Sequence, residues 1–483
     1  MRITMVSNYI NHHQLPFSDA MFERCTEYVF VQTMPMEQKR IDMGWGVDPT
    51  TIPYVIESYR EPEKAEKAID ESDLLIVGWI EDEAIVEDRL RSGKPVFRIS
   101  ERIYREGQWR FISPKGLVCK YREHISLKKY PVYLLCNGAY VASDYKLIGA
   151  YPNRKYRFGY FPPFRKVMNV SELLDKKAKL NTVTIEHPEE LPIQGLVLTK
   201  EEINIVWAGR FIELKNPGFM IRLADDLNRR GIRFHIHMIG SGELEEALKA
   251  EAEYRLIDHY ITFHGMLSPE ATRDVMEQCH IHIFTSNYLE GWGAVVNEAM
   301  NAGCAVIANE EVGCAPYLIR KGINGLTYQA TYEDMLDKVM SLADNPGKIA
   351  TLGINAYRTI ADEWNGEVAA KRVIEAYKMI VSAGDCDGSV VNGVSADEAD
   401  CGKSHDKKNR DEANVRIVAA GDCDNSSVDG FCSEESDFKK SFDKKSGDKK
   451  RTARDRDFGF ESGPLSVAPI IKPGFFKGSR FVN

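Results

Sequence analysis

Short apolar runs alternate with amphipathic stretches along the first third of the chain, a spacing typical of buried strands followed by helices. Leu15 to Cys25 has the composition of a helix, and Pro16 suits its first turn. The predicted strands are Arg2–Ser7, Tyr28–Gln32, Leu74–Val77, Val96–Ile99, Val132–Cys136 and Tyr156–Gly159. The alternation predicts a parallel sheet covered by helices, and such sheets bind ligands at the carboxyl ends of their strands.

A second series of the same kind follows a less regular stretch. From Val167 to Glu202 the pattern weakens, and Pro188, Pro192 and a run rich in Lys, Asp and Glu predict a linker or a surface excursion. The next predicted strands are Ile203–Trp207, Phe234–Ile239, Tyr260–Phe263, His280–Phe284, Ala305–Ala308 and Gly325–Tyr328, with helices such as Gly218–Arg229 and Leu244–Glu253 between them.

These two series predict an α/β fold with two Rossmann-like domains that face a cleft. The first domain spans residues 1–167, a linker spans 168–202, the second domain spans 203–365, and a closing helix spans 366–382.

Beyond about Ala383 the composition changes to Asp, Lys, Ser and Gly, and the fragment Gly-Asp-Cys-Asp occurs twice, at 384 and 421. With few apolar side chains to offset the entropy of ordering, residues 383–483 are predicted to form a disordered tail. The stretch Val467–Phe476 is more apolar. It could dock on the folded part, but we predict a sticky free end.

The overall composition is that of a soluble globular protein of more than one domain, at 483 residues. The net charge of −9 argues against nucleic acid as the main partner. The first residues turn polar too soon for a signal peptide, and no run of ~18 apolar residues could span a bilayer, so we expect a cytoplasmic protein. The ten cysteines include no Cys-x-x-Cys pair, which disfavours a zinc ribbon.

One strand-to-helix loop carries two acidic residues around a pair of glycines: Glu290-Gly-Trp-Gly-Ala-Val-Val-Asn-Glu298, with Gly303 as the expected end of the helix. Glycines let the backbone approach a ligand, and the first helical N–H groups favour an anion such as a phosphate. Glu290 would lie beside that anion and Glu298 one turn along the helix. Two carboxylates flanking a phosphate suit a ligand with hydroxyls at both ends, such as a nucleotide sugar.

Further motifs follow one another between Ile203 and Tyr328. They are Ala208-Gly-Arg-Phe-Ile-Glu-Leu-Lys-Asn-Pro217, Gly240-Ser-Gly242, Phe263-His-Gly265, the loop from Glu290 to Glu298, Glu298-Ala-Met-Asn-Ala-Gly303 and Gly322-Ile-Asn-Gly325. In order and spacing they resemble the retaining glycosyltransferases of the GT-B fold, in the large group (family 4) that includes sucrose synthases and bacterial mannosyl- and glucosyltransferases.

The resemblance implies a nucleotide diphosphate sugar as donor and three catalytic candidates, Arg210, Lys215 and Glu290. Arg210 and Lys215 match the basic pair that holds the donor diphosphate, a role that suits a guanidinium fork and an ammonium. Glu290 matches the glutamate that contacts the donor sugar, and Glu298 matches the one that accepts hydrogen bonds from the ribose.

Donor contacts are also implied for Gly240 and, through backbone N–H groups, for Gly293 and Ala294. The resemblance implies neither a metal nor a cofactor. The Asp-x-Asp triplets agree with this, because they fall in the predicted tail at 385/387, 422/424 and 455/457 rather than after a buried strand.

The sequence departs from the family at three places. Cys314 and Tyr317 stand where many members have a glycine and an acidic residue. Asn8-Tyr-Ile-Asn-His-His13 replaces a glycine pair after the first strand, and Ser100-Glu101-Arg102 stands where many members carry a histidine.

Acceptor-binding candidates come from these N-terminal loops. His12 and His13 would face an acceptor, or else form a polar turn in which one histidine caps the following helix. Glu101 and Arg102 would orient the acceptor or form an internal salt bridge. Two basic, aromatic stretches, Lys120–Tyr130 and Arg154–Arg157, are interpreted as a solvated face, with contact to an anionic membrane as the alternative.

The function predicted in this way is sugar transfer, with retention of configuration, to a hydroxyl of a glycan or a lipid-linked acceptor. The diphosphate would leave on Arg210 and Lys215, and the family's usual proposal is front-face attack with the leaving phosphate taking the acceptor proton. The alternatives are a sugar-nucleotide epimerase or hydrolase of the same fold, and a catalytically silent scaffold.

Overall fold

Thirteen strands belong to the part of the chain that the computed structural model describes, which is residues 1–41, 46–166, 202–384 and 457–473. The strands of the first sheet are β1 (Arg2–Ser7), β2 (Glu27–Gln32), β3 (Val55–Glu57), β4 (Leu74–Val77), β5 (Val96–Ser100), β6 (Val132–Asn137) and β7 (Lys155–Phe158). Those of the second sheet are β8 (Ile203–Ala208), β9 (Phe234–Ile239), β10 (Ile261–Phe263), β11 (Ile281–Phe284), β12 (Ala305–Asn309) and β13 (Leu326–Tyr328).

Each sheet is parallel and doubly wound. The first has the order β3-β2-β1-β4-β5-β6-β7 and the second the order β10-β9-β8-β11-β12-β13, with every neighbouring pair parallel. In both sheets the strand order reverses beside the first strand, β1 or β8, which opens a crevice at the carboxyl ends of the strands. The prediction of two Rossmann-like domains is confirmed.

Helices cover both faces of these sheets. They are α1 (Leu15–Arg24), α2 (Gln38–Arg40), α3 (Pro62–Glu71), α4 (Ala84–Arg91), α5 (Pro114–Lys120), α6 (Val141–Leu147), α7 (Gly218–Arg229), α8 (Glu245–Tyr254), α9 (Pro269–Gln278), α10 (Val295–Asn301), α11 (Ala315–Leu318), α12 (Tyr332–Ala343), α13 (Pro346–Asp362) and α14 (Gly366–Ser382). None of the helices in the described ranges is long and apolar enough to cross a lipid bilayer.

Burial explains why the strand predictions are accurate. All four residues of β4 are buried, and a strand covered on both faces appears in the sequence as a continuous apolar run. Strand β3 was not predicted, because it consists of three half-buried residues at the edge of the sheet and is too short for such a run.

The chain returns to the first domain through α14. This helix packs against α1, and a Cβ on Gly366 would lie 2.6 Å from the backbone of Pro16, so only glycine allows this approach. The predicted closing helix, Gly366–Ser382, is confirmed at both ends.

Residues 457–473 correct the prediction of a free end. Residues Leu465–Ala468 run antiparallel to β7, and their backbone exchanges hydrogen bonds with Lys155 and Arg157 at 2.8 to 2.9 Å. Phe458 is buried and stacks on Tyr156, with ring centroids 4.5 Å apart. The segment docks because its few apolar side chains complete the core at the edge of the sheet, which residue composition alone does not reveal. Most of the predicted linker, and the predicted tail at 385–456 and 474–483, lie outside the described residues.

Candidate functional site

A cavity of about 1010 Å³ lies between the carboxyl ends of the two sheets. The first domain lines it with the loops after β1, β5 and β7, and the second domain with the loops after β8, β9 and β11. The predicted site residues that line it are Arg210, Lys215, Gly240, Glu290, Gly293, Ala294, Glu298, His12, His13 and Glu101. The fold therefore gathers donor and acceptor candidates from distant parts of the sequence around one space.

Close packing beneath this cavity explains its glycines. Gly293 has φ +91°, and a Cβ there would lie 2.8 Å from the Phe284 ring. Gly240 has φ +124°, and a Cβ there would overlap the carbonyl oxygen of Gly209. Both positions require glycine, since a side chain on Gly240 would collide with the loop after β8 and one on Gly293 would collide with the Phe284 ring.

Lys215 and Glu290 form an ion pair at 2.5 Å, with about one-sixth of each side chain exposed. The Lys215 ammonium also lies 5.5 Å from the centre of the Phe284 ring. The loop that carries Lys215 is fixed to the end of β11, because Asn216 donates to the carbonyl of Thr285 and the Thr285 hydroxyl donates to the carbonyl of Lys215. A cation and a carboxylate are thus held together in the cavity.

Arg210 follows β8, is exposed and lines the same cavity. An exposed guanidinium in the same cavity as the half-buried Lys215–Glu290 pair is suited to bind a second oxygen of an anionic group.

Glu298 lies in the first turn of α10. The helix is followed by Gly303, as predicted, and this glycine has a left-handed φ of +70°. Burial raises the pKa of Glu298 to about 7, and the charge of Arg273 opposes that rise. The carboxyl group therefore changes its charge near neutral pH.

Glu298 should make the protein's stability depend on pH. Because its pKa rises from 4.5 to about 7 on folding, the native state binds more protons than the unfolded state between these values, and stability falls as pH rises through this window. The loss is at most about 3 kcal/mol at 1.36 kcal/mol per pKa unit. We expect Glu298→Gln to flatten the dependence of the melting temperature on pH from 4.5 to 7. Glu253→Gln, at an exposed position, should leave it unchanged; equal slopes in all three proteins would contradict this account.

His12 and His13 lie next to Glu298. One ring nitrogen of each histidine and a carboxylate oxygen of Glu298 all lie within 4.8 Å of one another, and among the described residues this is the group that could hold a metal ion. Burial lowers the pKa of His12, and it lowers the pKa of His13 to about 3, so both rings are neutral at pH 7. Neither histidine caps α1, because Gln14 is its N-cap and makes no side-chain capping bond.

Glu101 and Arg102, neighbours in sequence, have different surroundings. Glu101 lies in the cavity, where it pairs with Arg105 and accepts a hydrogen bond of 3.1 Å from the Tyr160 hydroxyl. Arg102 instead pairs with the fully buried Asp144 at 3.3 Å. The internal salt bridge is therefore the better interpretation for Arg102.

Two residues that were not among the predicted site residues, Tyr160 and Trp292, also contribute to the site. Tyr160 follows β7, its hydroxyl contacts Glu101, and its ring lies 5.9 Å from that of His13. Trp292 is buried between the domains, and a Cβ on Gly159 would lie 2.4 Å from its ring. Their position in the sequence could have pointed to both residues, because each lies in a loop at the carboxyl end of a predicted strand.

Tyr317 packs away from the cavity. It is buried, stacks with Trp364 and lies 6.2 Å from the Trp292 ring, with the Arg157 guanidinium 5.5 Å from its own ring. Its ring is part of the buried contact between the two domains. An acidic side chain at this position would lose its contact with water.

Residues 190–359 match the protein-family model described as "Glycosyl transferases group 1". The chain is 29% identical over 192 residues to D-inositol 3-phosphate glycosyltransferase of Rhodococcus jostii, covering 38% of this chain and 42% of that protein. It is 22% identical over 206 residues to the amylovoran biosynthesis glycosyltransferase AmsK of Erwinia amylovora, covering 41% and 50%. Each match thus spans at most half the length of the curated relative.

Solved structures match over a larger share. HepE of Anabaena, solved in complex with UDP, aligns with a TM-score of 0.55 at 12% identity, covering 78% of this chain and all of that one. A glycosyltransferase of Rickettsia africae gives a TM-score of 0.54 at 12% identity, covering 79% and 98%. The chain therefore has the GT-B fold, with the cavity in the cleft between its two domains. Within that fold, residues 190–359 are the part that is similar to the glycosyl transferases group 1 model.

Proposed function

We propose that the chain is a glycosyltransferase that moves a sugar from a nucleotide diphosphate sugar to a hydroxyl of a glycan or lipid-linked acceptor. The observation that carries the proposal is the Lys215–Glu290 pair, held beside Arg210 and Glu298 in one cavity between two Rossmann-like domains. We further propose a cytoplasmic location with peripheral contact to the inner face of the membrane.

In this proposal the donor diphosphate binds at Arg210 and Lys215. The Lys215 ammonium has three N–H donors, so it can hold a phosphate oxygen while keeping its contact with Glu290. Charge that builds on the leaving phosphate is then stabilised by groups already in place, which lowers the barrier to bond cleavage.

Glu290 acts as a hydrogen-bond acceptor for donor sugar hydroxyls, since the Lys215 ammonium contacts its Oε2 atom and a carboxylate has a second oxygen that can accept. Glu298 accepts hydrogen bonds from the ribose, while Gly293 and Ala294 offer backbone N–H groups to the phosphates. The acceptor hydroxyl attacks the anomeric carbon on the face that the phosphate leaves, so a new glycosidic bond replaces the sugar–phosphate bond with retention of configuration, and the leaving phosphate takes the hydroxyl proton. Acceptor hydroxyls would enter beside His12, His13 and Glu101, on the side of the cavity formed by the first domain.

Product analysis with UDP-, GDP- and ADP-sugars tests this function. We expect release of the nucleoside diphosphate that depends on an added acceptor and is accompanied by a new glycoside. An altered sugar nucleotide without acceptor would indicate an epimerase, release of free sugar would indicate a hydrolase, and no turnover with any donor and acceptor would indicate a scaffold.

Transfer should not need a divalent metal, because Arg210 and Lys215 supply the positive charge at the diphosphate. We expect enzyme dialysed against EDTA to keep its turnover within about twofold, well below the 10-fold that 1.4 kcal/mol represents. Loss of transfer in EDTA with recovery on adding Mn²⁺ or Zn²⁺ would contradict this. His12, His13 and Glu298 would then be the ligands to test by substitution.

A further inference from the structure

Six large hydrophobic side chains are exposed within thirteen residues on the surface of the first domain. They are Trp109, Phe111, Ile112, Leu117, Val118 and Tyr121, and we call them and the basic residues around them the basic–aromatic face. Trp109, Ile112 and Tyr121 are each more than half exposed. Exposed hydrophobic residues are normally scattered singly, and a contiguous group marks a surface for interaction.

The charge of this face is opposite to that of the whole chain. Residues 108–129 contain six basic residues, Arg110, Lys115, Lys120, Arg122, Lys128 and Lys129, against one acidic residue, Glu123, in a chain of net charge −9. A second copy of the chain would bring the same basic residues against one another. An anionic surface complements them.

The folded structure itself exposes these side chains, because buried contacts hold both ends of residues 108–124 in place. At one end Gln108 donates to Asp144 at 2.8 Å, and at the other His124 contacts the Tyr151 hydroxyl at 3.0 Å. Between them, Trp109, Phe111 and Ile112 lie in a 3₁₀ turn (Gln108–Ile112), and the Ser113 hydroxyl caps helix α5, which carries Leu117 and Val118. The face is thus presented outward by an anchored scaffold.

The face borders the cavity. Lys120, Glu123 and His124 line it, as does Arg105 before the segment. A surface on which this face rested would therefore lie beside the part of the cavity that the first domain forms.

We propose that the basic–aromatic face docks the chain on an anionic lipid bilayer. The aromatic and aliphatic side chains enter the boundary between headgroups and acyl chains, and the basic side chains bind the lipid phosphates. The second sequence stretch considered for this role, Arg154–Arg157, is excluded: Arg154 is buried and donates to the carbonyl of Tyr130, and Lys155 donates to the carbonyl of Ala150.

Docking also deepens the proposed function, on which this step rests. A membrane beside the first domain would deliver the hydroxyl of a lipid-linked acceptor to the side of the cavity where His12, His13 and Glu101 lie. Lipid binding itself needs neither donor nor turnover, so the two proposals can fail separately.

Co-sedimentation of the full chain with lipid vesicles tests the docking. We expect binding to vesicles of phosphatidylcholine with phosphatidylglycerol, little binding to phosphatidylcholine alone, and weaker binding as salt screens the charges. The double variant Trp109→Ser, Ile112→Ser should bind anionic vesicles at least about 10-fold more weakly. The matched control is Tyr254→Ser, Leu256→Ser, which removes two residues that are 89% and 76% exposed in the second domain; it should bind like the original chain.

Charge-reversal variants separate the electrostatic contribution to vesicle binding from the hydrophobic one. Lys115→Glu, Arg122→Glu should abolish binding to anionic vesicles, whereas Arg229→Glu, Lys371→Glu, at basic positions outside the face, should not. If the unaltered chain binds no vesicles, or if all four variants bind equally, the proposal is overturned whether or not the protein transfers sugar. A dimer that Trp109→Ser, Ile112→Ser converts to a monomer, without lipid binding, would assign the face to a second copy instead.

Discussion

Replacing Lys215 with alanine is expected to lower kcat by about 100- to 1000-fold, the usual effect of removing one preorganised group that stabilises a developing negative charge. Lys215 is held at 2.5 Å from Glu290 by a loop tied to the end of β11, so its position is set before any donor binds. Without it the leaving diphosphate loses a cation and Glu290 stays half-buried beside an empty space. The measurement is single-turnover transfer with the donor found in the product analysis.

Lys321→Ala is the matched control, because Lys321 also forms an ion pair, with Glu310 at 2.9 Å, but is mostly exposed and does not line the cavity. Its kcat should stay within about twofold of the original, because Lys321 does not line the cavity and an exposed ion pair contributes little to the stability of the fold. The double variant Lys215→Ala, Glu290→Ala should lose less than the product of the two single losses, because the residues act as a pair. Full activity of Lys215→Ala in a folded protein would remove Lys215 from the site.

Replacing Phe458 with alanine is expected to destabilise the first domain by about 3 kcal/mol or more. The ring is buried, stacks on Tyr156 at 4.5 Å and lies near Tyr133 and Phe97. Its removal leaves a cavity at the edge of the sheet, where residues 457–473 complete the core. The measurement is the loss of unfolding free energy, from thermal or urea unfolding followed by a probe in the first domain.

Val467→Ala is the control on the same segment, because Val467 is half exposed and its substitution should cost less than about 0.5 kcal/mol. An unchanged melting temperature for Phe458→Ala would mean that the segment does not stay docked in solution.

The fold could be predicted largely from the sequence because parallel strands buried on both faces, such as Leu74–Val77, are unmistakable apolar runs. The donor side of the cavity could be predicted for a related reason. Glycines at positions such as Gly293, where no side chain fits, are fixed by local backbone geometry and therefore appear as a motif.

The remaining features depend on contacts between distant parts of the chain. The pairing of Arg102 with Asp144, the contact of Tyr160 with Glu101 and the docking of Phe458 join residues that no local pattern relates. For the same reason Arg154–Arg157 looked like a basic surface although Arg154 is buried. Hydrophobic periodicity shows which residues are apolar, but not which core they complete.

The most direct test of the proposed donor site is a calorimetric titration of nucleosides, nucleoside monophosphates and nucleoside diphosphates into the unaltered chain, Arg210→Ala and Lys215→Ala. We predict that one nucleoside diphosphate binds, and that each substitution weakens it by about 10-fold or more while leaving affinity for the nucleoside unchanged, because a charged hydrogen bond contributes about 1.5–3 kcal/mol. Equal diphosphate affinity in all three proteins would contradict the assignment of Arg210 and Lys215 to the donor diphosphate.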